Sequence, residues 1–339
     1  MAVVLAEKPA KRKRKRIVPV VIVGFILAAA ALLTGWKAWA LYGNYQAARN
    51  EYQSLEDAHT RIDLDQIGGW RPQEQKPDPV QEEDPDPRVT GKAGVDFPDL
   101  GVDHAGLYAI NHDYMGWLYI DDEIADIHIS YPFVQGETNS EYLKTTLEGE
   151  KNAAGAVFAD FNTPGDFSSH HTILYGHNML DGSMFSSLKR YRGTSEKNPE
   201  RYFYIYLRDG SVLKCRLFST HVISKNSTAY QIDMSDKLYD EFFERIVSES
   251  EDDWGAGDLI PDAIPEKSVL LSTCHGRSGT SKRMAVHAYV DTWFVDPDAV
   301  TANIETESEA DADAELDSGS DTGTGDPGYG TIPADRPDS

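Results

Sequence analysis

A mainly β domain with peripheral helices, held at a membrane by an N-terminal helix, is the architecture this chain predicts. Three observations carry the expectation. Short runs rich in Val, Ile, Tyr and Phe recur over residues 117–295 with turn residues between them, the pattern of a barrel or a sandwich. Residues 183–191 and 235–247 interrupt the pattern with apolar side chains at helical spacing: Met184, Phe185, Leu188 and Tyr191, then Leu238, Phe242, Phe243 and Ile246. Ahead of the domain, the basic run 11–16 precedes residues 17–36, which carry no charge; about twenty apolar residues at helical rise cross a bilayer core.

Taken in order, residues 1–16 read as a cytoplasmic basic N-terminus and 17–36 as a single-pass transmembrane anchor. Basic residues before a span favour keeping that end inside, so the rest of the chain faces outward. Ala38-Trp39-Ala40 offers the small-x-small site of a cleavable leader, but the apolar run exceeds the roughly 7–15 residues of a leader's core. The basic run also matches a nucleic-acid patch; its place against a span makes topology the better explanation, and no nucleic-acid partner is expected. Residues 40–65 lack Pro and, apart from Gly43, Gly, so a juxtamembrane helix is assigned to 37–66. Residues 67–101, dense in Pro, Asp, Glu and Gln, read as an extended, self-repelling linker.

The folded domain is assigned to 102–297. Residues 107–117 mix helical spacing with Gly116 as a stop, and strands are expected at 117–120, 129–134, 156–159, 171–175, 202–207, 212–221, 269–273 and 284–295. Loops at 221–230 and 254–265 are expected to shape a pocket. The net charge of −24 is concentrated toward the end, where residues 301–339 hold many carboxylates and only Arg336 as a basic residue. Residues 298–339 therefore read as a solvated acidic tail that buries too little apolar surface to offset its ordering entropy, without the spacing of a calcium loop.

The chemistry lies at strand ends. One β-prone run delivers Cys274, in a chain of only 2 cysteines; another delivers His177; Arg283 follows shortly after the cysteine. A thiol transfers acyl groups as thiolate, and a free cysteine near pKa ~8.5 is mostly protonated at neutral pH. A cationic neighbour is needed, and His177 and Arg283 are the candidates. An imidazolium also supplies the proton a departing amine requires. Arg283 stays charged and serves as a hydrogen-bond donor to an oxyanion or a substrate carbonyl. Each residue has an ordinary reading as well: a small buried hydrophobe, a surface histidine, an ion-paired arginine. Spacing alone does not bring the three together.

The segment Tyr175-Gly176-His177-Asn178-Met179, followed by Asp181-Gly182-Ser183-Met184-Phe185, Leu188 and Tyr191, resembles the catalytic-histidine segment of class B sortases. Leu271-Ser272-Thr273-Cys274 is similar to their nucleophile strand, and Arg283 falls where the family has its essential arginine. Gly116-Trp117-Leu118, Tyr131-Pro132-Phe133-Val134-Gln135-Gly136 and Asn139 are similar to the family's N-terminal part, and the helix at 235–247 fits class B. The resemblance covers residues 107–295. It implies a closed β-barrel of about eight strands and a cysteine transpeptidase with His177, Cys274 and Arg283 as catalytic residues. It further implies Asn139, Ser272 and Thr273 as substrate-binding residues.

The implied partners are exported proteins bearing a C-terminal sorting motif of LPxTG or NPxTx type. The acceptor is a cell-wall peptide amine or, alternatively, a pilin lysine. No cofactor and no metal are expected. His275, Ala285 and His287 depart from the family's usual pattern.

Other readings are weaker. Cys215 sits on an alternating apolar strand and reads as a core thiol; a Cys215–Cys274 disulfide would consume the nucleophile. His170 and His171 near His177 lack the thiolates or carboxylates that would complete a metal site. Papain-like enzymes and amidases usually place the cysteine before the histidine, the reverse of the order here. A non-catalytic module binding exported tails is the rival outside enzymology.

Overall fold

The computed structural model describes residues 17–61, 88–195, 200–274 and 280–295, with Cys274 placed by its backbone. The elements are α1 (Ile17–His59), β1 (Val89–Thr90), α2 (His104–Ile110), β2 (Tyr114–Asp122), β3 (Ile127–Val134), β4 (Val157–Ala159), β5 (His171–Tyr175), β6 (Tyr202–Leu207), β7 (Val212–Ser224), α3 (Asp236–Ser248), β8 (Ser268–Cys274) and β9 (Lys282–Val295). Strand order is β1-β9-β7-β6-β2-β3-β4-β5-β8, and β8 pairs again with β9. That last pairing closes β2–β9 into a barrel, so no long edge of the main sheet is left open. Pairing is antiparallel except at β3–β4, β5–β8 and β1–β9.

The strands form where the sequence concentrates β-branched and aromatic residues, and their side chains fill the interior. Trp117, Ile120, Ile129, Phe133, Ile173, Phe203, Ile205, Leu213, Leu270 and Val286 are fully buried. Because interior positions come from every strand, the core is shared around the circumference. Outside the barrel, α3 buries Tyr239, Phe242, Phe243 and Ile246, with Phe218 stacked on Phe243 at 4.5 Å between centroids.

Several elements differ from the sequence expectation. Gly116 does not stop a helix: α2 ends at Ile110, and Gly116 lies within β2, where a side chain would meet the Tyr206 carbonyl at 2.4 Å. Residues 183–191 form a 3-10 helix, Phe185–Tyr191, rather than an α-helix. The strand expected at 212–221 extends to Ser224, so residues 222–224 of the expected 221–230 loop belong to β7. Within the expected linker, β1 runs parallel to the end of β9, and Phe97 and Leu100 are buried. The acidic tail and residues 62–87 lie outside the described residues.

The chain divides into two compact units, Met1–Ala47 and Ala48–Ser339. In the first, Ile22, Phe25, Ile26, Leu27, Leu32, Leu33, Trp36 and Trp39 are exposed on α1. This helix is long and apolar enough to cross a membrane, and it fits a membrane anchor.

Candidate active site

Strand register assembles the candidate residues. Strand β5 runs parallel to β8 with Tyr175 paired to Ser272, and the Gly176 amide donates to the Ser272 carbonyl at 3.2 Å. His177 and Cys274 each lie two residues beyond that last pair. On the other side β8 runs antiparallel to β9, and Cys274 is the Cα partner of Arg283. Residues far apart in sequence thus reach one end of three adjacent strands.

Local packing explains how His177 leaves its strand. A Cβ at position 176 would meet the Phe185 ring at 2.6 Å, so only glycine lets the chain pass beneath that ring. The Phe185 amide donates to the His177 carbonyl at 2.9 Å. The imidazole is half-buried, and Nε2 lies 2.7 Å from the Leu143 carbonyl. A carbonyl only accepts, so Nε2 carries the proton and Nδ1 offers a lone pair. Burial holds the ring's pKa below its ordinary value, and the Lys144 charge adds to that, against the opposing hydrogen bond to Leu143. The resting imidazole is therefore neutral at neutral pH. Of the two candidates for a cationic neighbour of the thiol, Arg283 is the one whose charge does not depend on protonating an imidazole.

Arg283 is largely buried, with Nη1 donating to the carbonyls of Thr280 at 2.6 Å and Lys282 at 3.1 Å. Ser272 is buried, and its Oγ lies 2.8 Å from the Tyr230 hydroxyl, whose ring stacks on Tyr175 at 6.1 Å. The Thr273 Oγ1 is buried without a hydrogen-bond partner among the described residues, a costly state for a hydroxyl. Asn139 is 2 % exposed. Its amide donates to Asp160 Oδ2 at 2.9 Å and accepts from the Phe161 amide at 3.0 Å. As placed, both ends of its side-chain amide are engaged by residues 160 and 161.

Two contributors went unseen in the sequence. Asp160, just after β4, gathers Asn139, the Tyr175 hydroxyl at 2.9 Å and Asn162. Leu143 acts through its backbone carbonyl, which no side-chain pattern can announce. Cys215 carries a free, fully buried thiol, and burial raises its pKa well above the ordinary range, which suits a core residue. Among the described residues no group of His, Cys, Asp and Glu has the arrangement of a metal site.

A family profile described as "Sortase domain" matches residues 123–291. The chain is 42% identical to "Sortase B" of Listeria monocytogenes over 85 residues, 25% of this chain and 33% of that protein. It thus spans about a third of that relative's length. It is 28% identical to "Sortase B" of Staphylococcus aureus over 186 residues, 54% of this chain and 72% of that protein. A crystal structure of Bacillus anthracis sortase B is similar in fold, with a TM-score of 0.51 at 24% identity, covering 74% of this chain and 99% of that one.

Proposed function

The chain belongs to the sortase family, in its class B branch, and from that premise we propose that it is a membrane-anchored cysteine transpeptidase. Its substrates are exported proteins carrying a C-terminal sorting motif, and its acceptor is a cell-wall peptide amine. The observation that carries the reading is the register: Cys274 pairs with Arg283, and His177 and Cys274 each follow two residues after the Tyr175–Ser272 pair.

In this mechanism His177 Nδ1 takes the thiol proton as the Cys274 sulfur attacks the motif's threonine carbonyl. Arg283 and backbone N–H groups stabilise the negative charge that develops on the carbonyl oxygen. The C–N bond breaks, the imidazolium gives its proton to the leaving amine, and a thioacyl-enzyme remains. The acceptor amine then attacks, and Nδ1 accepts its proton while the new amide forms. The Leu143 carbonyl supports this cycle by holding one tautomer, so the same nitrogen exchanges the proton in both halves. With the N-terminus cytoplasmic, the anchor leaves the catalytic domain outside the cell, where both substrates meet.

The test is incubation of the full chain in detergent with LPxTG- and NPxTx-type peptide libraries and triglycine, read by mass spectrometry. Motif cleavage with transfer to the glycine amine, absent from Cys274→Ala, is the expected result. Turnover retained by Cys274→Ala contradicts the reading. A competition in which a lysine amine displaces triglycine would move the acceptor to a pilin.

A further inference from the structure

The last stretch of α1 buries a stripe of its own. Ala48, Tyr52 and Leu55 are each under 5% exposed, spaced to share one helix face, and they belong to the same compact unit as the barrel. A cleft of about 420 Å³ lies beside this contact, lined by Arg49, Tyr52, His128, Tyr131, Asp181 and Met184 among others. The helix meets the barrel at the two segments that flank His177.

The first segment is the loop that follows the histidine. Arg49 Nη2 donates to the Asp181 carbonyl at 3.2 Å and lies 3.5 Å from its carboxylate. The Tyr52 ring meets Tyr131 edge-on at 5.3 Å, and the Tyr131 hydroxyl accepts from the Met184 amide at 3.1 Å. Met184 bridges back to Asn178, the residue after His177, and it holds a positive φ of 54°. That conformation is costly for a side-chain-bearing residue and persists only when its surroundings enforce it.

The second segment is the one that carries the imidazole's partner. The Tyr52 hydroxyl donates to the Gly155 carbonyl at 2.6 Å. Gly155, at φ 56°, runs so close to the chain that a Cβ there would sit 2.3 Å from the Tyr142 carbonyl and 2.8 Å from that of Leu143. The Ala156 amide also donates to the Tyr142 carbonyl at 3.0 Å. The Leu143 carbonyl in turn accepts from His177 Nε2.

We propose that Arg49 and Tyr52 are positioning residues, through which the juxtamembrane end of α1 sets the placement of the His177 imidazole from both sides. The proposal rests on the reading of His177 as the proton carrier. A helix that also supplies the anchor thereby becomes part of the catalytic framework. Loss of its grip shifts the ring without touching substrate, so the effect falls on kcat.

The experiment uses the full chain in detergent micelles with two readouts. Turnover of an NPxTx-type peptide with triglycine gives kcat and KM. Ring-nitrogen NMR signals, assigned by comparison with His177→Gln, report the His177 tautomer. Tyr52→Phe keeps the ring packing and removes the hydroxyl. It is expected to lower kcat about tenfold with KM changed less than about twofold, since small misplacements of a reacting group cost rate rather than binding. Arg49→Met should lower kcat about threefold, with Arg49→Lys restoring most of it. In both deleterious variants the His177 signals should move from a single Nε2–H form toward a mixture.

Unchanged His177 signals in Tyr52→Phe overturn the proposal whatever the turnover does, and so does an unchanged kcat. Were the unmutated chain itself to form no product, the transpeptidase reading would fall, and the ring signals would still decide whether the helix sets the imidazole. If Tyr52→Phe fails to fold, the Arg49 pair decides by the same two readouts.

Discussion

His171 opens β5 and His177 lies just past its end, and the two meet opposite conditions. His171 is wholly buried; its Nε2 donates to the Ala229 carbonyl at 3.2 Å, and its Nδ1 accepts from Ser268 Oγ at 2.8 Å. It stacks on His287 at 5.9 Å, and His287 stacks on His221 at 5.3 Å. Both ring nitrogens of His287 are buried without a partner among the described residues. Burial pushes His171 down to about 4 and lowers His221 and, well below the usual range, His287. His177 instead keeps one nitrogen tied and stands at the barrel rim, only partly covered. Depth in the barrel, not residue type, separates the imidazoles that pack from the one to which the proposed function gives the proton.

The largest effect that sharpens this contrast is catalytic. His177→Ala should lower kcat/KM on the order of 10³-fold while leaving urea unfolding unchanged, as expected for loss of a general acid–base group. His287→Leu should leave kcat/KM within about twofold. Steady-state kinetics beside unfolding curves check both, and a comparable activity loss in the two variants would break the contrast.

The next effect is on acid stability. The stacked imidazoles are neutral when folded and titrate near 6.5 when unfolded, so the unfolded state takes up protons first as pH falls. For His171 this contribution is complete above about 6.5 and is lost progressively toward about 4, on the order of 3 kcal/mol, and His221 and His287 act in the same direction. Urea unfolding followed from pH 7 to pH 4 measures it; a flat profile contradicts the stack's neutrality.

A smaller effect comes from His287→Leu at neutral pH. Replacing an unpartnered buried polar ring by an apolar side chain should raise stability by about 1 kcal/mol and flatten the acid limb. A loss of stability would mean that His287 has a polar partner. Smallest is the kinetic shift: the acid limb of kcat/KM should fall below the ordinary histidine value, because burial lowers His177.

Much of the barrel was legible because its strands are short β-prone runs with turn residues at both ends. Strands β5 and β6 fall at the expected 171–175 and 202–207, and α3 within a residue of 235–247. Gly116 was misread because the apolar residues before it have helical spacing, whereas pairing with β3 and β6 decides its conformation. The individual candidates were visible as reactive side chains at strand ends. Their convergence was not, since it depends on the β5–β8 and β8–β9 registers between distant segments. The grip of Arg49 and Tyr52 on the His177 loop also had no sequence signal, because a juxtamembrane helix shows which face is apolar but not what it meets. The His171–His287–His221 stack escaped notice for the same reason: His287 stood out only as a departure from an aliphatic pattern.

The most direct measurement is capture of the acyl-enzyme. The full chain is mixed with a sorting-motif peptide without an amine acceptor, quenched in acid, digested and sequenced by mass spectrometry. The account predicts a thioester of the motif's N-terminal fragment on Cys274, discharged when triglycine is added before the quench. Cleavage of the motif with Cys274 unmodified throughout, or an adduct on Cys215 instead, would contradict it.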